Sequence, residues 1–255
     1  MPRTQARYGW VPDLPDHRDH LYAAPPAVLR ALPPKVDLRK QCPPVVDQGR
    51  IGSCTANAIA NAHRFDQRKQ GAAKEFLPSR LFIYYNERVM EGTVDSDSGA
   101  MLRDGIKSIA QIGACPEDDW AYVESKFAQK PPAKAYADAE LHQAISYQRV
   151  AQTMSQMKGC LAAGYPFVFG FTVFASFESP AVAKTGKVPM PGPNDAVLGG
   201  HAVLAVGYRD AGQQFIAMNS WSTKWGDGGF FYMPYAYLLD PDLAADLWTV
   251  RVVET

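Results

Sequence analysis

Apolar residues recur at helical spacing through the first half of the chain and crowd into short runs in the second. After Cys54, the positions Ala58, Ile59, Ala62 and Phe65 form one stripe, with Ser53 at the cap position and Gly71 just past the end. That pattern predicts a helix. Pro78-Ser79 opens a second helix through Arg88, and Leu102, Ile106 and Ile109 mark a third before Gly113. A fourth is predicted from about Asp138 to Arg149, and a fifth from Thr153 through Met154, Met157 and Leu161 to Gly164. The character then changes. PFVFGFTVF, HAVLAVGY, QQFIAMNS, GGFFYM and LWTVRVV are short runs rich in β-branched and aromatic residues, separated by Gly, Asp and Pro, and they read as strands. Helices first and strands later is an α+β arrangement, open to a two-lobed build. Three units are expected: an extended, proline-rich arm over residues 1–35, a mainly helical lobe over 36–150 and a mainly β lobe over 151–255. Residues 178–200, with four prolines and four glycines, are expected to form a long surface loop.

Between Lys158 and Glu178 lie 19 uncharged residues in a row, close to the length of a membrane span. Gly164 and Pro166 break the run, and Phe167, Phe169, Phe171 and Val173 then alternate, so a buried core strand is the better reading. The full chain of 255 residues is 47% hydrophobic and carries 26 basic against 26 acidic side chains. That composition suits a globular protein with a sizeable core. A balanced charge supplies no field for nucleic acid or an anionic membrane, so neither is expected as a partner. No apolar signal segment precedes Trp10, so a cytoplasmic location and a monomer are the working expectations. The sequence has no C-x-x-C pair or H-E-x-x-H, and Asp95-Ser96-Asp97-Ser98-Gly99 lacks the later Glu of a calcium loop, so no metal or cofactor is expected.

Three segments can carry chemistry. In Gln48-Gly49-Arg50-Ile51-Gly52-Ser53-Cys54, the cysteine falls where a loop turns into a helix. Helix N–H groups there favour a thiolate, the form in which sulfur is a nucleophile. Gly52 lets a substrate backbone come close, and Gln48 can bring its side-chain NH₂ beside the sulfur as an oxyanion donor. A cysteine before a helix equally suits a plain core position. His201 opens the apolar run HAVLAVGY, where packing alone explains an imidazole poorly; a core histidine bonded to a carbonyl is the bland alternative. Asn219 can accept the imidazole N–H and Trp221 can cover that bond, although a hairpin with packing tryptophans explains the same glycines. His201 follows Cys54 by 147 positions, and Asn219 follows His201 by 18. This order and spacing match the Cys/His/Asn pattern known from papain and the cathepsins.

The chain resembles the papain-like cysteine peptidases, above all bacterial members without a secretory prepeptide. VDLRKQCPPVVDQGRIGSCTANA, SGAMLRDGIKSIAQIGACPEDDWAY, GGHAVLAVGY and FIAMNSWSTKWGDGGFFYM carry the resemblance, from about Val36 to Met233. N-S-W followed by W-G-x-G-G is the most specific of these. The resemblance implies a two-lobed fold with a helical left lobe, an antiparallel β-barrel-like right lobe and a cleft between them. It implies Cys54 as nucleophile, His201 as general base and acid, Asn219 as the residue orienting the imidazole, and Gln48 as oxyanion donor. Gly52, Ser53, Ser98, Gly99, Gly200 and Trp221 are the positions expected to line the cleft. Thr55 stands where an aromatic residue usually follows the nucleophile, Ile51 where a cysteine is usual, and Gly200 where Asp or Asn commonly precedes the histidine.

The expected activity is hydrolysis of a peptide or protein substrate through a Cys54 thioester, as an endopeptidase. In the expected resting state, Cys54 and His201 form a thiolate–imidazolium pair, which can bring a cysteine pKa to about 3–4. A non-catalytic peptide-binding module on the same fold and acyl transfer to an amine are the alternatives. The arm is either a surface strap or tail, or a pro-like segment that lies in the cleft. Of Cys42, Cys115 and Cys160, at most one pair can bridge, and all three are expected to be unbridged.

Overall fold

The structure, a computed structural model, describes residues 8–254, so the first seven residues of the expected arm lie outside it. The rest of the arm is mostly extended. It contains the short strands β1 (Trp10–Val11) and β2 (Leu21–Tyr22), the one-turn helix α1 (Pro26–Arg30) and β3 (Lys35–Asp37). α1 begins on a proline, whose missing N–H costs nothing in a first turn. The helical region follows with α2 (Cys54–Gln70), α3 (Arg80–Glu91), β4 (Ala100–Met101) and α4 (Leu102–Gln111). Gly71 ends α2 in the left-handed conformation (φ 70°), and the Ser79 hydroxyl caps α3 by accepting from the Phe82 N–H at 3.1 Å. Both ends sit where the capping residues predict them.

Two expectations for the middle of the chain need correcting. Over Asp138–Arg149 the structure has no single helix: α5 (Ala133–Ala139) starts earlier, directly after Pro132, and Ala144–Val150 is a strand, β5. Local helix formers end at Glu140; beyond it, pairing with strands distant in sequence prevails over local preference. The chain continues through α6 (Met154–Ala162), β6 (Phe167–Phe174), α7 (Pro180–Thr185), β7 (Val197–Arg209), β8 (Gln214–Met218), β9 (Phe230–Pro234), α8 (Tyr235–Leu239) and β10 (Ala244–Val253). The expected 178–200 loop is thus interrupted by α7, which Ser179 caps ahead of a first-turn proline, and it ends early because β7 reaches back to Val197.

The main sheet runs β2-β5-β10-β6-β7-β8-β9, with β3 also paired to β7. Every pairing is antiparallel except that of β2 with β5. Among the described residues the two ends of this path, β2 and β9, are not paired with each other. Phe167, Val168, Phe169, Phe171 and Val173 are all buried, as a strand covered on both faces requires. β6 pairs with β7 in a register that sets Phe171 opposite His201. Asn219 follows the last residue of β8, and the whole Cys54 end of α2 is buried. A second, two-stranded pair joins β1 to β4 in parallel, Trp10 opposite Ala100 and Val11 opposite Met101. Among the described residues, no helix is long and apolar enough to cross a membrane.

Candidate active site

Cys54 is the first residue of α2 and is wholly buried. Burial pushes its thiol up to about 12, while backbone N–H groups of Ala202, Gly9 and Thr55 pull the other way. The Ala202 contact matters for geometry: it sets the sulfur beside the residue that follows His201. The sequence places these residues 147 positions apart, and the sheet brings them into one site.

His201 is also fully buried, and its Nε2–H donates to Asn219 Oδ1 at 2.8 Å. Trp221 lies flat on the imidazole, with centroids 4.9 Å apart and planes 29° from parallel. Phe171 meets the ring edge-on at 5.7 Å. Water is therefore kept from the His–Asn bond, which is stronger for it. Asn219 Oδ1 also accepts the Ser220 N–H at 2.9 Å, so the amide itself is held from its own backbone.

Gln48 is buried beside this group. Its backbone N–H donates to Ser220 O at 2.9 Å, and its side-chain Oε1 accepts from the Ser220 hydroxyl at 2.6 Å. The Ile51 carbonyl, which can only accept, fixes which end of the amide is nitrogen. Nε2 keeps one contact, to Ile51 O at 3.2 Å, and has a second proton for other use. Ser220 thus couples the orienting Asn219 to Gln48, a role that sequence inspection did not assign. Its adjacency to the asparagine in N-S-W is the one signal that pointed to it.

Of the other positions singled out, Gly52 and Gly99 lie against Gly9, Gly200 lies against Trp10, and Trp221 stacks on His201. The Gly52 N–H donates to Asp97 Oδ1 at 2.9 Å; the same oxygen accepts from the Tyr84 hydroxyl at 2.5 Å, which in turn accepts the Gly99 N–H at 3.2 Å. Asp97 and Tyr84 therefore tie the two glycine walls together, again beyond what the spacing revealed. Ser53 turns its hydroxyl to Tyr122 at 2.5 Å, and Ser98 is exposed with its hydroxyl on Thr93 and Gly99 O. Thr55, in place of an aromatic residue, donates to the buried Glu87 at 2.6 Å. Burial raises the Glu87 carboxyl well above its ordinary value.

Residues 8–13 pack against several of these positions. The Gly9 carbonyl accepts the Ala100 N–H at 2.7 Å, and a Cβ on residue 9 would stand 1.6 Å from Gly52 O. Only glycine fits there. Tyr8 packs against His201 and Trp221, with centroids 6.1 and 6.4 Å away, and its hydroxyl meets Glu178. Trp10 lies over Gly170 and Gly200 and donates its indole N–H to Asp246 Oδ2 at 3.1 Å. Asp13 closes the segment: it accepts from the Arg103 N–H at 3.0 Å and the Trp248 indole at 2.9 Å, and its own N–H donates to Asp246 at 2.8 Å.

All four cysteines are unbridged and buried. Among the described residues, no group of three His, Cys, Asp or Glu could hold a metal ion.

Comparison with known proteins agrees with this geometry. The family model described as papain family cysteine protease matches residues 32–238. The crystal structure of xylellain, a cysteine protease from Xylella fastidiosa, superposes with a TM-score of 0.91 at 44% identity, covering 99% of this chain and 98% of that one. An uncharacterised peptidase C1-like protein of Acanthamoeba polyphaga mimivirus is 43% identical over 270 residues, 96% of this chain and 87% of its own length. Procathepsin B from Trypanosoma congolense shares the fold, with a TM-score of 0.73 at 17% identity over 90% of this chain and 80% of that one. With a family match across most of its length and relatives above 40% identity, the chain belongs to the papain family of cysteine proteases and is a thiol-dependent hydrolase of peptide bonds.

Proposed function

We propose that Cys54 is the nucleophile of an endopeptidase, with His201 as its proton carrier, Asn219 as the residue that orients the ring, and Gln48 with the Cys54 N–H as the oxyanion site. The observation that carries this reading is the joining of His201, Asn219 and Gln48 in one buried network across Ser220, with the Cys54 sulfur at the backbone N–H of Ala202, the residue after His201. His201 Nε2 is held by Asn219, so the proton passes through Nδ1. In the first half-reaction, the sulfur takes the peptide carbonyl carbon, and the oxyanion rests on Gln48 Nε2–H and the Cys54 N–H. Collapse breaks the C–N bond, and His201 gives its proton to the departing amine. In the second half, His201 removes a proton from water, the oxygen attacks the thioester, and the sulfur leaves as thiolate. The site is complete within one chain, which supports a monomeric working unit, and four buried, unbridged cysteines suit the reducing setting of the cytoplasm.

The arm is an intramolecular blocker in this reading. A productive substrate must put its leaving amine, and every residue after it, on the His201 side. The arm runs the other way: Tyr8 lies at His201 and Trp221, and the chain then passes Cys54 to put Trp10 over Gly170. A reversed chain fills the cleft without offering a carbonyl in the attackable direction. Burial of the sulfur under Gly9 also accounts for the raised thiol, so the thiolate–imidazolium pair expected from the sequence belongs to the opened cleft.

Cys54→Ala is expected to abolish hydrolysis of a fluorogenic peptide in any state of the arm. An epoxide probe is expected to label Cys54, not Cys42, Cys115 or Cys160, and to do so faster once the arm is displaced. Turnover by Cys54→Ala, or labelling concentrated on another cysteine, would overturn the assignment.

A further inference from the structure

The two glycines that lie against Gly9 belong to distant parts of the chain. Gly52 stands in the loop that leads into α2, just ahead of Cys54. Gly99 directly precedes β4, whose Ala100 N–H donates to the Gly9 carbonyl at 2.7 Å. A peptide lying there therefore meets the loop of the nucleophile on one side and the edge of β4 on the other. A continuous line of hydrogen bonds joins the two sides. The Gly52 N–H donates to Asp97 Oδ1 at 2.9 Å, the Tyr84 hydroxyl donates to the same oxygen at 2.5 Å, and the Gly99 N–H donates to the Tyr84 hydroxyl at 3.2 Å. Its direction is fixed. The backbone N–H groups at its ends can only donate, so the phenol accepts from Gly99 and turns its own proton to the carboxylate.

Helix α3 anchors this line. Tyr84 and Arg88 are one helical turn apart, and both are wholly buried. The Arg88 guanidinium carbon lies 3.9 Å from the centroid of the Tyr84 ring. Its nitrogens donate to Val94 O and Ser96 O, each at 2.8 Å, and to Phe127 O. One planar fork thus holds both the phenol ring and the loop that delivers Asp97. His201, Asn219, Ser220 and Gln48 form their own hydrogen-bonded group, so the line from Gly52 to Gly99 serves something other than the proton carrier.

We propose that Asp97 and Tyr84 are positioning residues for the acyl half of the substrate. They set the separation between Gly52 and the β4 edge, so that an extended peptide pairs with Ala100 while its scissile carbonyl lies at Cys54. This rests on the proposed role of Cys54 as nucleophile. With the leaving amine on the His201 side, the residues before the cut bond must pass Gly52 and Ala100, the ground that Gly9 and Trp10 cover here. A peptide long enough to reach β4 gains main-chain pairing from a correctly spaced edge. A substrate too short to reach it gains nothing.

The test compares two substrates on the full chain carrying Gly9→Val, whose side chain does not fit against Gly52 O and so opens the cleft. An N-acetylated tetrapeptide para-nitroanilide reaches β4; the para-nitrophenyl ester of a single N-acetylated amino acid does not. Tyr84→Phe and Asp97→Ala are each expected to lower kcat/KM for the peptide about tenfold, the worth of roughly one hydrogen bond. The loss should fall on KM, with kcat nearly unchanged. Ester hydrolysis and the rate of Cys54 alkylation by iodoacetamide should stay as in the parent. Asp97→Asn should restore peptide turnover, because the amide oxygen accepts the same two bonds. Asp97 is only half-buried, so its matched Ala and Asn variants decide the matter even where Tyr84→Phe disturbs folding. An equal loss on both substrates, or no loss in Asp97→Ala, overturns the positioning role and leaves the nucleophile standing. If the parent turns over neither substrate and its Cys54 resists alkylation, the reading of Cys54 fails and this inference falls with it.

Discussion

At the scale of single residues, the site depends on which end of each amide faces which partner. Gln48 is the clearest case, because the Ile51 carbonyl takes one Nε2 proton and so marks the nitrogen end, which keeps a second proton to donate toward an oxyanion. Gln48→Ala is expected to lower kcat by about 10²–10³-fold with little change in KM, since the lost bond is strongest in the transition state. Ser220→Ala should produce a smaller loss with the same kcat-weighted signature; steady-state kinetics on an opened enzyme such as Gly9→Val would check both. Cys54, His201, Asn219 and Gln48 were singled out by their joint order and spacing, since each alone also suits a packing role, and the structure places His201, Asn219 and Gln48 in one hydrogen-bonded group. Ser220, Asp97 and Tyr84 were not, because a hydroxyl or carboxylate that serves by holding another group carries no mark in the sequence.

At the scale of elements, α2 shows what a nearly fully buried helix has to absorb. Asp66 on its inner face is 1% exposed, and neither carboxylate oxygen has a hydrogen-bond partner among the described residues. Burial lifts its pKa from 3.8 to about 8. The folded chain therefore holds a proton on Asp66 between about pH 4 and 8 that the unfolded chain releases, so stability falls as pH rises through that window. Asp66→Asn should remove this slope: the variant melts higher than the parent at pH 8, and the difference shrinks toward pH 4. Melting curves across that range would check it, and a gap independent of pH would contradict the protonated state. The elements themselves were read unevenly. α2, α3, α4, α6 and the strands from β6 on have caps or runs that local rules capture. β5 does not, because AISYQRV mixes apolar and polar residues loosely and becomes a strand only between β10 and β2.

At the scale of the whole molecule, the proposed blocking role of the arm depends on how its first described residues are held. Its latch is acidic: Asp13 and Asp246 lie together under Arg149, Trp10 and Trp248, and burial raises both carboxyls, Asp246 to about 6. Asp246→Ala removes the acceptor of the Trp10 indole and of the Asp13 N–H. It should raise the rate of Cys54 labelling in the full chain several-fold or more while leaving α2 and the sheet folded, as circular dichroism and labelling kinetics would show. By itself, the sequence determined the longer helices, the strands from β6 on, the family pattern on which the proposed roles of Cys54, His201, Asn219 and Gln48 rest, and an N-terminal stretch rich in proline, since these follow from periodicity, residue chemistry and fixed backbone angles. Only the tertiary structure decided that Tyr8 lies against His201 and Trp221 with Trp10 over Gly170, that β2 and β3 of this stretch join the main sheet, and that the Cys54 sulfur is buried. Those outcomes depend on the direction of a chain between two walls and on the water it displaces, quantities that arise only when distant residues meet.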